Sequence, residues 1–168
     1  MKKMNKTIKN NIAYIIKEMY STTGKDPGKK ALQKMIYLIQ ADNVDMGYEY
    51  GIHFYGPYCA AIDTVTTYLG ADDVISFDYS GYSHKMHVND NYNVKSELPS
   101  TGEKKIKEVI QKFKDKTALE LELLTTTHYV YKHIKDKSES HIIEGVKKIK
   151  GSKFSEIEIK ASIKELGL

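Results

Sequence analysis

Apolar residues in the first third of the chain recur at helical spacing. Ile8, Ile12, Ile15, Ile16 and Met19 mark one face of a first helix that ends before Ser21–Gly24. Asp26-Pro27 offers an N-cap and first turn for a second helix running to about Asp42. Its stripe is Leu32, Met35, Ile36 and Ile39, and Gln33, Lys34 and Tyr37 fall off that stripe. The aromatic-rich, loosely alternating Tyr48–Tyr55 segment predicts a strand. Gly56-Pro57 breaks it, and proline at a first helical position forfeits no needed hydrogen bond. A third helix is therefore predicted from Pro57 to Leu69, with Tyr58, Ala61, Ile62, Val65 and Leu69 inward against the second helix and Gly70 near its end.

The period then shortens to two. Val74–Tyr79, followed by Tyr82, His84, Met86 and Val88 at alternate positions, predicts strands joined through Ser80-Gly81. Asn89-Asp90-Asn91 reads as a turn before a further strand over Tyr92–Val94. Beyond Pro99 the pattern is helical again. Three capping-box spacings pair Ser100 with Glu103, Thr117 with Glu120 and Ser155 with Glu158. The stripes that follow are Ile106, Val109, Ile110 and Phe113; Leu119, Leu123, Val130 and Ile134; Ile142, Val146 and Ile149; and Ile159, Ile163 and Leu166. Thr125-Thr126-Thr127 lowers helix propensity in the second of these. The order predicts a mainly helical α+β protein with a winged-helix-like core, a small β-hairpin or meander and an appended C-terminal helical bundle. One domain over residues 1–168 is expected, winged-helix-like over 1–99 and helical over 100–168.

With 168 residues, 40% of them apolar, the chain can build one core without covalent staples. The single cysteine, Cys59, leaves no partner for an intramolecular disulfide and suits a reducing compartment. Ile12–Ile16 is too short an apolar run for a signal core or a membrane span. A cytoplasmic protein with no membrane association is expected.

All 26 basic residues are lysine. No side chain can therefore offer the planar bidentate fork that reads guanine edges or clamps phosphate. The net charge of +4 conceals a strong asymmetry. Residues 1–34 sum to +7, residues 35–99 to −7 and residues 100–168 to +4. Such segregation points to electrostatic selection of a partner.

Conventional catalytic constellations are sparse. Cys59 falls in the predicted first turn of the third helix, where exposed amides lower a thiol pKa, and His53 is a conceivable base. The plainer reading is a small side chain packed under the Gly56-Pro57 turn, and it is preferred because no local nucleophile signature accompanies the cysteine. His84 and His87 are expected on opposite faces of a strand, and the spacing of His128 and His133 does not align on a helix. His53 and His141 are isolated, so no metal site and no cofactor are expected. The lysine runs at Lys2–Lys9, Lys104–Lys116 and Lys147–Lys153 read as solvated helix faces. Tyr48, Tyr50, Tyr55 and Tyr58 are clustered, fitting half-buried packing first and a contact surface second.

Leu32-Gln33-Lys34, Ile36-Tyr37 and Gly56-Pro57 together resemble the Panacea antitoxin-type domain. His53-Phe54-Tyr55-Gly56-Pro57-Tyr58, and Glu120-Leu121-Glu122-Leu123-Leu124 leading to His128-Tyr129, are similar to its YwgA-like relatives. The resemblance implies a non-enzymatic module that neutralises a partner toxin by direct binding or escorts a client. It carries over Gln33, Lys34, Tyr37, Gly56 and Pro57 as motif positions without catalytic roles.

The expected function is thus antitoxin-like protein binding. The contact would use the acidic, tyrosine-bearing middle segment, with Tyr55, Tyr58, Asp72, Asp73 and Asp78 as candidate residues and a basic toxin as a fitting partner. The alternative is a winged-helix DNA-binding regulator. Its recognition helix over Pro57–Leu69 would hold no lysine and one acid, Asp63, so nucleic acid is expected to bind only weakly and without sequence preference. Self-association is left open.

Overall fold

The structure is a computed structural model and describes residues 6–168. The part of the Lys2–Lys9 run before Lys6 lies outside the described residues. Seven α-helices and two antiparallel hairpins make up the regular structure among those residues, an α+β and mainly helical fold. None of these helices is long and apolar enough to cross a membrane.

Helix α1 (Lys6–Thr23) buries Ile12, Ile15, Ile16 and Met19 on the predicted face. Helix α2 (Lys29–Ala41) is enclosed all round: every residue from Leu32 to Ile39 is buried, Gln33, Lys34 and Tyr37 included. Its start differs from the sequence reading. Gly28 is the N-cap, because Asp26-Pro27 is drawn into pairing with a later strand. The Pro27 carbonyl accepts from Met86 N at 2.9 Å, and Asp26 pairs with His87 at 2.7 Å. A side chain at Gly28 would collide with Ser83, its Cβ lying 2.1 Å from Oγ.

Residues 42–59 separate α2 from the third helix, where a helix-turn-helix has only a short turn. They contain the hairpin β1 (Gly51–His53) and β2 (Gly56–Tyr58), in register Gly51↔Tyr58, Ile52↔Pro57 and His53↔Gly56. Pro57 therefore lies in a strand and does not open a helix, a position tolerated because this two-stranded sheet has only edge strands. Helix α3 (Ala60–Ala71) begins after Cys59, its N-cap. Cys59 is held extended at φ −128°, ψ 113°, so the helix cannot start sooner. Ile62, Val65 and Leu69 are buried, whereas Ala61 is exposed. Helix α3 packs chiefly on α1, and the expected apolar seam with the α2 stripe is not its main contact.

Strands β3 (Ile75–Asp78) and β4 (Lys85–Val88) form the second hairpin, with a wider connection than Ser80-Gly81 alone. The strand expected over Tyr92–Val94 is irregular backbone. Side chains of α1 hold the following segment instead: Asn10 Nδ2 donates to Glu97 at 2.8 Å, and Asn11 Oδ1 accepts from Glu97 N at 3.0 Å.

The C-terminal helices are α4 (Ser100–Phe113), α5 (Ala118–His133), α6 (Glu139–Lys150) and α7 (Glu156–Leu166). Thr117 with Glu120 and Ser155 with Glu158 form complete capping boxes. Ser100 does not cap; Pro99, whose carbonyl already accepts from Glu103 N, occupies that place. Ile106, Val109, Ile110 and Phe113 are buried, while Leu119 and Ile149, placed on the stripes of α5 and α6, are exposed. The long contacts run from α2 to α4, α5 and β2, and from α5 to α6 and α7. Helix α5 is common to both apolar clusters: Leu121 and Leu124 join the larger, and Leu123 and Val130 the smaller beneath α6 and α7. Its residues 121–127 are all buried, so packing outweighs the low propensity of the threonines.

Candidate functional site

The motif residues converge where α2 meets β2 and the start of α3. Gln33 uses both ends of its amide on one backbone residue: Nε2 donates to the Cys59 carbonyl at 2.8 Å, and Oε1 accepts from Cys59 N at 3.1 Å. Nε2 also lies 3.2 Å from Asp63 Oδ1, while the second Asp63 oxygen accepts from Tyr58 OH at 2.9 Å. One turn of α2 thereby fixes the entry to α3. Cys59 is buried in this arrangement, and the His53 ring rests against Tyr58, with centroids 4.7 Å apart. No hydrogen bond joins Cys59 Sγ to a base among the described residues.

Lys34 is 3% exposed, and its Nζ donates to the Pro57 carbonyl at 2.6 Å. Burial pushes its pKa down to about 8, against a smaller upward pull from Glu122. Gly56 precedes that carbonyl at φ +88°, a conformation suited to glycine. An added Cβ there would lie 2.9 Å from Thr126 Oγ1, so α5 closes down directly on the hairpin.

Helix α5 supplies residues that the apolar stripes do not single out. Glu122 is buried within it, 2.6 Å from Lys150 Nζ and 2.8 Å from Lys153 Nζ. Burial alone would raise the Glu122 pKa, but the two lysine hydrogen bonds outweigh it and hold the carboxyl below its ordinary value. Lys150 also donates to the Phe54 carbonyl at 2.7 Å, tying α6 to the tip of the first hairpin. On the other side of α2, Tyr37 OH meets His128 Nδ1 at 2.9 Å and its ring packs edge-on to Tyr50. Burial raises the Tyr37 pKa and lowers that of His128 to about 4, which keeps the imidazole neutral at pH 7. Glu122 and His128 both lie in the α5 stretch that carries part of the family resemblance. Their only other sequence signal is that few charged residues interrupt it.

Tyr55 lies at the exposed tip of the β1–β2 hairpin, with Lys30 Nζ 3.4 Å above its ring. Phe54 beside it is 78% exposed. Gln33, Lys34, Tyr55, Gly56, Pro57 and Tyr58 thus form one neighbourhood, and Tyr37 lies one turn further along α2.

Asp72, Asp73 and Asp78 do not join it. Asp63 is in the first turn of α3 and Asp72 is its C-cap. At 1.5 Å rise per residue, that separates the two ends by about 13 Å. Asp72 is ion-paired with Lys9, so the charge blocks of the sequence partly neutralise one another in space. Asp73 holds φ +61° beside Asn89. The Ser80 side chain and then its N–H, at 2.8 Å, hydrogen-bond the Asp78 carboxylate and hold its pKa below the usual value. Beyond Asp78, Tyr79 and Tyr82 stand exposed on the β3–β4 connection, a feature hidden in the sequence by the alternating pattern.

Among the described residues no three His, Cys, Asp or Glu side chains are grouped to hold a metal ion. The chain matches no protein-family model and no curated protein.

Proposed function

We propose that this chain is a non-enzymatic, antitoxin-like protein-binding module of the cytoplasm that neutralises or escorts a partner by direct contact, without a cofactor. The observation that supports it most is the pair of hairpins ending in large exposed side chains: Ile52, Phe54 and Tyr55 on one, Tyr79 and Tyr82 on the other. Exposed aromatics on structured supports offer contact area at low entropy cost, the usual chemistry of protein interfaces. Asp73, Asp78 and Asp90 beside the second hairpin favour a basic partner, since complementary charge speeds encounter and rejects acidic competitors.

The alternative, a DNA-binding regulator, has weaker support. Helix α3 has no lysine, and the one lysine of the β3–β4 hairpin, Lys85, stands opposite Asp78 in the register, so the hairpin offers no net positive charge to phosphate. A photocrosslinking residue placed at Tyr82 in the native host tests the choice. The proposal expects adducts to one basic protein; adducts to DNA, or none above background, would overturn it.

A further inference from the structure

We infer that the recess between the start of α2 and the β1–β2 hairpin is a binding site for a single oxyanion, a phosphate or carboxylate group. This site is separate from the acidic hairpin, and the inference does not depend on the protein-binding reading. The recess encloses about 210 Å³ and is lined by Lys29, Lys30 and Lys34 together with Gln33, Tyr58 and Asp63, among others. Its charge is unbalanced. Neither Lys29, Lys30 nor Lys34 has a carboxylate oxygen within ion-pair distance among the described residues. Asp63 is occupied by Gln33 and Tyr58, and Glu122 behind the wall is shared by Lys150 and Lys153.

Lys34 makes the imbalance costly. A buried ammonium ordinarily has a counter-ion and acceptors for its three N–H groups. Among the described residues the Pro57 carbonyl is the one acceptor for Lys34 Nζ, which leaves two of its N–H groups without a protein acceptor. An oxyanion in the recess would accept from Lys34, with Lys30 closing over it from the first turn of α2, while the Lys29 ammonium rests 5.9 Å from the Phe77 ring centroid and adds charge from further off. The amino end of that helix adds a favourable dipole. Lys30, resting on the Tyr55 ring, needs only a side-chain rotation to reach inward.

The test is thermal unfolding of the protein in inorganic phosphate, in acetate and in chloride at one ionic strength, for wild type, Lys30→Gln and Lys34→Met. The inference expects phosphate or acetate to raise the wild-type Tm by about 3 °C over chloride, at roughly ten times its dissociation constant. Lys30→Gln should weaken binding several-fold, and Lys34→Met should abolish it. A larger effect of phosphate assigns a phosphate-bearing ligand, and a larger effect of acetate assigns a carboxylate. Lys30 is exposed, so Lys30→Gln decides the matter even if Lys34→Met fails to fold. No rise over chloride, or an equal rise in Lys30→Gln, would overturn the site.

Discussion

The side-chain amide of Gln33 pairs with the backbone of Cys59 as a neighbouring strand would, donating to its carbonyl and accepting from its N–H. With Lys34 on the Pro57 carbonyl, two consecutive residues of α2 hold two alternate residues of the segment entering α3. The spacing that looks like a recognition motif in the sequence is therefore also a structural clamp.

That clamp can be broken selectively. Gln33→Ala leaves the Cys59 N–H buried without a partner, while its carbonyl keeps the Ile62 N–H at 3.2 Å, so the loss should be about 1–3 kcal/mol. Urea denaturation should show a clear fall in midpoint, and Cys59→Ser a much smaller change. Ile36→Ala, at a fully buried position in the same helix, should cost about 2–5 kcal/mol. An unchanged midpoint for Gln33→Ala would show that the clamp contributes nothing.

A second prediction concerns the contact between Gly56 and Thr126. Thr126 Oγ1 is buried without a hydrogen-bond partner, so Thr126→Val should be neutral or stabilising by about 1 kcal/mol. Gly56→Ala should destabilise, because alanine is strained at φ +88° and its Cβ meets that oxygen. Equal midpoints for the two variants would contradict this packing.

Glu122 holds Lys150 and Lys153, and Lys150 in turn reaches the hairpin at the Phe54 carbonyl. Replacing Glu122 with Gln leaves Lys150, whose side chain is 3% exposed, without its counter-ion, a loss of about 3–5 kcal/mol. Because the carboxyl is held below its ordinary pKa, its contribution is present above about pH 4.5 and lost as pH falls through the folded value. Unfolding of Glu122→Gln against wild type at pH 7 and pH 4 should show the gap narrowing on acidification.

Two histidines should act on stability in opposite directions. His128 is pushed from 6.5 to about 4 by burial, so its contribution is full above pH 6.5 and is lost as pH falls towards 4. The Asp26 hydrogen bond raises His87, so its contribution is full below pH 6.5 and is lost as pH rises through the folded value. Denaturation midpoints across pH 4–8 should lose the acid limb in His128→Gln and the alkaline limb in His87→Asn. Unaltered profiles in both variants would contradict the assignments.

The helices were largely legible because their apolar spacing is regular and two of the three proposed capping boxes form. Start points were harder wherever distant backbone competes for the same residues. Asp26-Pro27 pairs with β4, and Gln33 holds Cys59 extended, so α2 and α3 both begin late. The burial of Lys34 and Glu122 was not legible at all, since a charged residue in an amphipathic pattern reads as exposed. Charge blocks along the chain suggested one acidic face, but Lys9 folds back on Asp72 and leaves the acids divided between the base and tip of the second hairpin.

The most direct test of the central claim is quantitative affinity capture from the native host. Wild type is compared with a Tyr79→Ser, Tyr82→Ser double variant and with an Asp72→Lys, Asp73→Lys, Asp78→Lys triple variant, each shown to be folded. The account predicts one basic protein recovered at near-equal molar amount with wild type. Both variants should lose it, and wild-type recovery should fall as salt rises. Recovery by the variants equal to wild type, or no stoichiometric protein with any of them, would contradict the account.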